Sequence, residues 1–173
     1  MNENELNALI AKLVNEVKST SKAENVLRTV DSITLSAAKK LAERVEAEAE
    51  RIGVKAVVVI ADNSGRPILC EVMDGAFIAS YDVALQKAFT VTALKMSTID
   101  LKPLAQPGGS LYGIQFTNDS HIVIFGGGEP LRVGDTIVGG LGVSGGSEAE
   151  DTALAAFGAR AFEELVSNIK EVN

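Results

Sequence analysis

Hydrophobic residues recur every three or four positions across the first 18 residues, which is the spacing of an amphipathic helix. The members of this stripe are Leu6, Leu9, Ile10, Leu13, Val14 and Val17, with Glu5, Lys12, Asn15 and Glu16 on the other side. The polar run over residues 19–25 is typical of a linker. The pattern predicts a docking helix over residues 1–18, a linker over 19–30 and a domain over 31–173. The alternative is that this helix packs on the domain as its first helix.

The domain begins with a second helical pattern, for which Thr34 is the predicted N-cap and Gly53 the residue that follows the last turn at Ile52. Residues 55–61 form an apolar, β-branched run that predicts a buried strand. The sequence Asp-Asn-Ser-Gly at 62–65 has the composition of a tight turn, and 66–73 is the returning strand. Two further helices are predicted over 78–96 and 149–169, the latter capped by Ser144 or Ser147.

Three more strands are predicted between these last two helices, over residues 111–116, 121–125 and 136–143, with a turn at 126–130. Tight turns join antiparallel strands, so neither the hairpin nor this meander fits a wholly parallel sheet. The sequence therefore predicts an α/β protein of the α+β type, with a central antiparallel sheet of about five strands and helices packed on it.

Charge and composition narrow the classes of partner. The net charge is −7, which disfavours a nucleic acid, and no cluster of Lys and Arg suggests an anionic membrane surface. A single cysteine excludes an internal disulfide and is typical of a reducing compartment. The N-terminus has neither the basic nor the apolar region of a secretory signal, and no apolar run reaches the ~18 residues of a membrane span. We expect a cytoplasmic protein.

A glycine-rich motif, Gly140-Leu-Gly142-Val-Ser144-Gly145, matches G-x-G-x-x-G and lies between a predicted strand and a predicted helix. A dinucleotide site is excluded because no βαβ unit with an acidic residue follows. Two readings remain. The amides around Gly142, Ser144 and Gly145 could hold an anion such as a carboxylate, or the glycines could allow close packing, which we favour.

Four side chains are candidates for cofactor contacts. His121 is the only histidine and the first candidate for an iron ligand, because a neutral imidazole binds metals at neutral pH. Cys70 and Met73 are softer donors on a predicted strand, although both could simply be apolar core residues. Lys87 could contact a propionate, but an ion pair is the preferred interpretation. These residues do not form a zinc site of the usual kind.

Three segments together resemble one family. They are Val59-Ile-Ala-Asp-Asn-Ser-Gly-Arg-Pro67 with Met73-Asp-Gly-Ala76, then Ala84-Leu-Gln-Lys-Ala-Phe-Thr-Val-Thr-Ala93, then Gly127-Gly-Glu-Pro-Leu131 with Val138-Gly-Gly-Leu-Gly-Val-Ser-Gly-Gly146 and Glu150-Asp151. The chain resembles the GlcG/HbpS-like family, which also forms the C-terminal domain of PduO-type corrinoid adenosyltransferases. The match runs from about residue 34 to about residue 167.

This resemblance implies a profilin-like fold, a homo-oligomer that is often an octamer, and association with haem or a corrinoid. In some members it implies slow haem degradation or redox sensing. It does not fix the axial ligand. Separately, the N-terminal helix resembles the encapsulation peptides of bacterial microcompartment cargo, which are short, amphipathic and tethered by polar linkers. That likeness implies a shell or cargo partner and a location inside a microcompartment.

The leading hypothesis is thus a cofactor-binding protein with weak catalysis or none, held in a microcompartment. No catalytic constellation stands out in the sequence. The rival hypotheses are a small-metabolite enzyme that uses Asp74 or Glu129 as acid or base in the glycine-rich cleft, and a structural oligomer without a ligand.

Overall fold

The computed structural model describes residues 5–7, 9–12, 14 and 30–170, and contacts divide the chain into two units, 1–30 and 31–173. In the first unit every described residue before Val30 is helical, and Leu6, Leu9, Ile10 and Val14 are 42–49% exposed. Leu13, Val17 and the predicted linker residues up to 29 lie outside the described residues.

The described residues of the second unit, 31–170, form four helices, four strands and two short 3-10 turns. The helices are α1 (Leu35–Ile52), α2 (Ser80–Leu94), α3 (Thr98–Leu104) and α4 (Glu148–Lys170). The strands are β1 (Val57–Asp62), β2 (Pro67–Val72), β3 (Gly128–Val133) and β4 (Thr136–Ser144), and the 3-10 turns are Ile114–Phe116 and Asn118–Ser120. The strands form one antiparallel sheet in the order β2-β1-β4-β3.

Local capping chemistry sets the helix ends. The Thr34 hydroxyl accepts a hydrogen bond from the amide of Ala37, and Gly53 ends α1 in the left-handed region, as predicted. At α4 the Ser147 hydroxyl accepts from the Glu150 amide, while the Glu150 carboxylate accepts from the Ser147 amide. This reciprocal pair is a capping box, and it identifies Ser147 rather than Ser144 as the cap.

The β1–β2 hairpin turns as the sequence predicts. The Asp62 carboxylate accepts hydrogen bonds from the amides of Ser64 and Arg66 at 2.8 and 3.0 Å. Gly65 has a φ of 83°, a value that glycine adopts without steric cost. This network also lowers the pKa of Asp62 against the opposing effect of burial.

The predicted antiparallel sheet with packed helices is confirmed, but among the described residues it has four strands where the sequence predicts about five. The segments 111–116 and 121–125 form turns and irregular backbone, although Ile122 and Val123 are buried. Ile122 and Val123 are buried by packing and not by strand pairing, and an apolar sequence pattern does not distinguish the two. Conversely β3 begins in the predicted turn. Its Pro130 is tolerated because an edge strand does not need every amide in the ladder.

Helices cover both faces of the sheet. Val58 and Ile60 of β1 belong to a core with residues of α1 and α4, whereas Val57 and Val59 pack with Ala84 and Ala88 of α2. Alternate residues of a strand point to opposite faces, so all of Val57–Ala61 in β1 are buried because each face has its own helical layer.

The glycines of the G-x-G motif face α2 at very short range. A methyl group on Gly142 would lie 2.1 Å from the carbonyl oxygen of Ala84, and one on Gly140 would lie 2.5 Å from that of Ala88. Side chains at these positions would therefore push α2 off the sheet. This supports the close-packing interpretation of the motif.

Candidate functional site

One face of α2 forms the floor of a cleft of about 290 Å³. Asp82, Leu85, Gln86 and Phe89 are spaced at i, i+3, i+4 and i+7, which places them on one side of the helix. The walls are Gly65 and Pro67 of the β1–β2 hairpin on the one hand and His121 on the other. The lining is thus mostly apolar, with an imidazole, an amide and a carboxylate at its rim.

The chain reaches His121 through a left-handed turn. Asn118, Asp119 and Ser120 have φ values of 50°, 53° and 63°, whereas His121 returns to −82°. Left-handed backbone costs non-glycine residues roughly 1–2 kcal/mol each, with Asn and Asp the most tolerant. The turn is closed by hydrogen bonds from the Ser120 amide to the Thr117 carbonyl and from the His121 amide to the Asn118 carbonyl.

Helix α2 contacts both the ring and the backbone of His121. The Phe89 and His121 rings meet edge to face, with centroids 6.0 Å apart and planes at 81°. The hydroxyl of Thr90, which is fully buried, accepts a hydrogen bond from the Val123 amide at 3.0 Å. As a donor, the Thr90 Oγ1 atom lies 2.7 Å from the Gln86 carbonyl oxygen and 3.3 Å from the His121 carbonyl oxygen.

The imidazole itself is exposed. Within the part of the chain that the structure describes, neither of its ring nitrogens takes part in a hydrogen bond. A neutral imidazole in this state has a lone pair available for an external ligand. The described residues contain no cluster of three or more metal-ligating side chains, so any metal would have to arrive with ligands of its own.

Lys87 is fully buried and makes the ion pair that the sequence analysis favours over a propionate contact. Its Nζ lies 2.7 Å from Asp151 Oδ2 and 2.7 Å from the Val143 carbonyl oxygen, and 5.1 Å from the centre of the Phe125 ring. Burial lowers the pKa of Lys87, while the hydrogen bond and charge of Asp151 oppose that shift.

The amides after β4 already have a carboxylate partner. Asp151 Oδ1 accepts from the amides of Gly145 and Gly146 at 3.1 and 2.9 Å. Ser144 donates its hydroxyl to that of Ser80, and Gly142 is paired with Val59 in the sheet. The structure therefore fills the candidate anion site at the start of α4 with a carboxylate of the protein itself.

The two sulfur donors lie away from the cleft lining. Cys70 packs against buried residues of β1 and α2, and burial raises the pKa of its thiol. The Met73 sulfur accepts a hydrogen bond from the Ala56 amide at 3.3 Å. The structure thus does not bring either sulfur together with His121.

The acid and base candidates are also separated. Asp74 lines an acidic groove with Glu46 and Glu50, whereas Glu129 lies on β3, where burial and then the charge of Asp100 raise its pKa. In the groove, burial raises the pKa of Glu46 to about 7, assisted by a hydrogen bond and charge from Glu71 and by the charges of Glu50 and Glu43.

Sequence reasoning missed the residues of α2 that line the cleft. Asp82, Gln86 and Phe89 lie on one helical face, a spacing that the sequence contains, but nothing local indicates that His121 comes to rest beside them. Thr90 carries no sequence signal of its role, since a buried threonine in a helix usually bonds to its own backbone.

Comparison with known proteins decides the family. A family model described as haem degrading protein HbpS-like matches residues 33–160. The chain belongs to the HbpS-like family. A crystal structure of a PduOC:heme complex superposes on this HbpS-like chain with a TM-score of 0.72 and 32% identity, covering 75% of this chain and 94% of the other.

Two curated relatives come from Citrobacter freundii. An uncharacterized 15.0 kDa protein in the dhaT-dhaS intergenic region is 43% identical over 141 residues, 82% of this chain and 99% of the relative. The corrinoid adenosyltransferase PduO is 30% identical over 162 residues, 91% of this chain but 48% of the relative. The HbpS-like chain thus spans about half the length of PduO. Among the helices that the structure describes, none has the length and apolar character to cross a bilayer.

Replacing Lys87 with Met in this HbpS-like chain should lower the free energy of unfolding by about 3–5 kcal/mol, because Asp151 would remain buried without its cation. The double variant Lys87→Met/Asp151→Leu should recover only part of that loss, because the amides of Gly145 and Gly146 and the Val143 carbonyl also lose their partners. Urea denaturation monitored by circular dichroism measures both. Arg51→Met, which breaks an exposed pair with Glu48, is the control and should stay close to wild type. A Lys87→Met cost no larger than that of the control would contradict the role of the pair.

Glu46→Gln should stabilise the protein at pH 8 but not at pH 4. The folded protein keeps the Glu46 proton up to a pKa of about 7, whereas the unfolded chain releases it near 4.5, so stability is lost as the pH rises between these values. Glutamine has no proton to lose. We expect a melting temperature roughly 2–4 °C above wild type at pH 8. Glu48→Gln is the control, because Arg51 lowers the pKa of Glu48. An advantage of Glu46→Gln that does not change with pH would refute this explanation.

Proposed function

We propose that this protein binds haem at the α2 cleft, with His121 as the iron ligand, and serves in cofactor handling or redox sensing. The observation that carries the proposal is the position of the only histidine, exposed at the cleft wall with its ring nitrogens free of hydrogen bonds among the described residues. Family membership supports it, as does the likeness to a PduOC:heme complex.

The residues of the cleft fit one edge of a planar, largely apolar macrocycle. Leu85, Phe89 and Pro67 offer apolar contact. At about 290 Å³ the cleft is at the small end of ligand sites, so a bound haem would be partly exposed. Asp82 at the rim would disfavour the carboxylates of a bound haem at that position. Bound haem iron would supply one-electron redox chemistry.

A corrinoid is the second candidate cofactor. It is also a macrocycle with a central metal to which an imidazole can bind, and the relatives include corrinoid adenosyltransferases. The same cleft and the same His121 serve this alternative. Weak haem degradation is a further activity that the family description supports.

We further propose that residues 1–18 dock to a microcompartment shell or cargo protein, which would place the protein inside a bacterial microcompartment. The exposed apolar residues of the described helical positions support this, since such a stripe provides anchors for a groove on a partner. A helix of about 18 residues is marginal alone and would be stabilised by binding.

Self-association is the remaining proposal, up to the octamer that the family resemblance implies. Phe77 and Ile78, which precede α2, are 70% and 97% exposed. Large apolar side chains at adjacent exposed positions are typical of contact surfaces rather than of solvent-facing loops.

Replacing His121 with Ala should weaken haemin binding by about tenfold or more and alter the Soret band, because the iron loses its protein ligand. Titration of purified protein with haemin, followed by absorbance, measures both effects, and hydroxocobalamin tests the corrinoid alternative in the same way. Cys70→Ala is the control and should titrate like wild type. If His121→Ala binds haemin with the affinity and spectrum of wild type, His121 is not the ligand.

Deleting residues 1–22 should leave the melting temperature of the domain nearly unchanged and abolish recruitment to shell proteins. Recruitment is measured by co-purification with assembled shells, and melting by circular dichroism. The full-length variant Leu9→Asp/Ile10→Asp, which removes two exposed apolar anchors, should also lose recruitment. Loss of the fold or of the oligomer on deletion would instead assign the helix to the core.

A further inference from the structure

The segment before His121 is strained. Asn118, Asp119 and Ser120 form three consecutive left-handed residues, none of which is glycine. Single residues of this kind are common in turns, but a run is unfavourable for L-amino acids. Strained backbone persists only where surrounding contacts determine it, and it is concentrated at sites where a side chain must be held in a particular place. All three residues are exposed, so core packing does not impose their conformation.

Helix α2 holds the backbone at the end of this turn. Beyond the turn, the chain is fastened by the Thr90 hydroxyl, which binds the Val123 amide and approaches the His121 carbonyl oxygen. The hydroxyl is fully buried and also bonds to the Gln86 carbonyl, so its position is fixed by its own helix. A rigid helical group thus anchors two backbone atoms of the loop.

Phe89, the neighbour of Thr90 along α2, contacts the imidazole ring of His121. Its ring meets the imidazole edge to face, which favours one orientation of that ring. Thr90 therefore fixes the backbone and Phe89 the ring. The left-handed turn leads directly into the backbone that Thr90 fixes.

We propose that Thr90 is a positioning residue of the His121 site, which acts with the left-handed turn at 118–120 to hold the imidazole at the cleft. Its significance for ligand binding rests on the proposed function. The positioning itself is a property of the ligand-free protein, so the two can be tested separately.

The test uses the imidazole proton resonances of the full-length, ligand-free chain, which form one set because the sequence has one histidine. Thr90→Val keeps the shape of the side chain and removes the hydroxyl. It should move these resonances towards those of a free histidine, because the imidazole leaves the Phe89 ring. Thr90→Ser keeps a hydroxyl and should restore the wild-type positions. Superimposable spectra for Thr90→Val and wild type would overturn the proposal.

A second pair of variants tests whether the turn at 118–120 positions the imidazole, and it keeps the proposal testable if Thr90→Val does not fold. Asp119 is exposed, so its replacement does not disturb the core. Asp119→Gly accepts the left-handed conformation and should keep the wild-type resonances, whereas the β-branched residue in Asp119→Val should displace them. Identical spectra for these two variants would refute the role of the turn.

Haemin titration of the same variants separates the two proposals. If both hold, Thr90→Val binds haemin about tenfold more weakly and Thr90→Ser binds it like wild type, since supporting residues commonly contribute this much to metal affinity. If His121→Ala binds haemin like wild type, the proposed ligand role fails, while the resonances still decide whether Thr90 positions the ring.

Discussion

The buried ion pair between Lys87 and Asp151 is the constraint on which the arrangement of the domain depends. It joins α2 to the first turn of α4 and, through the Val143 carbonyl, to the end of β4. A buried ammonium group is stable only with its hydrogen bonds satisfied, so these three elements have little freedom to move relative to one another. The opposite carboxylate oxygen fixes the amides of Gly145 and Gly146. This one ion pair thus fixes both where α4 begins and how closely α2 packs on the sheet.

Glycines just before β3 and within β4 are the steric counterpart of that electrostatic constraint. A methyl group on Gly127 would lie 2.5 Å from Lys87 Nζ, and one on Gly142 would meet the backbone of α2. Lys87 can reach Asp151 only because these positions have no side chain. The same close approach turns the opposite side of α2 outwards, where Asp82, Gln86 and Phe89 line the cleft. The core contacts of α2 and its candidate site are therefore two consequences of one packing geometry.

Sequence reasoning succeeded where short-range chemistry decides the structure. The ends of α1, the turn at Asp62 and the start of α4 depend on contacts within a few residues, and each is visible in the sequence. It failed over residues 111–133, where strand formation depends on which segment occupies the free edge of β4. Gly128–Val133 takes that edge, and the more apolar segment 121–125 stays unpaired, with only Ile122 and Val123 buried.

In the candidate site, too, the sequence reveals the residues with a local signal but not their long-range partners. His121 could be identified as a candidate ligand because it is the only imidazole, and an ion pair could be favoured for Lys87 in its alanine-rich helix. Their partners could not be identified, since Asp151 is 64 residues from Lys87 and His121 is 31 residues from Thr90. Those distances along the chain are bridged by the packing of α2, which no local pattern specifies.

The distribution of aromatic residues has a practical consequence for spectroscopy. The chain has no tryptophan, and both tyrosines, Tyr81 and Tyr112, are exposed. Its intrinsic fluorescence therefore reports on the surface and is nearly blind to the core, whose aromatic content is phenylalanine. A tryptophan introduced at Phe89 would be the single strong fluorophore of the molecule, located against the imidazole. Because the native protein has no other tryptophan, the emission of such a reporter would come from the cleft alone.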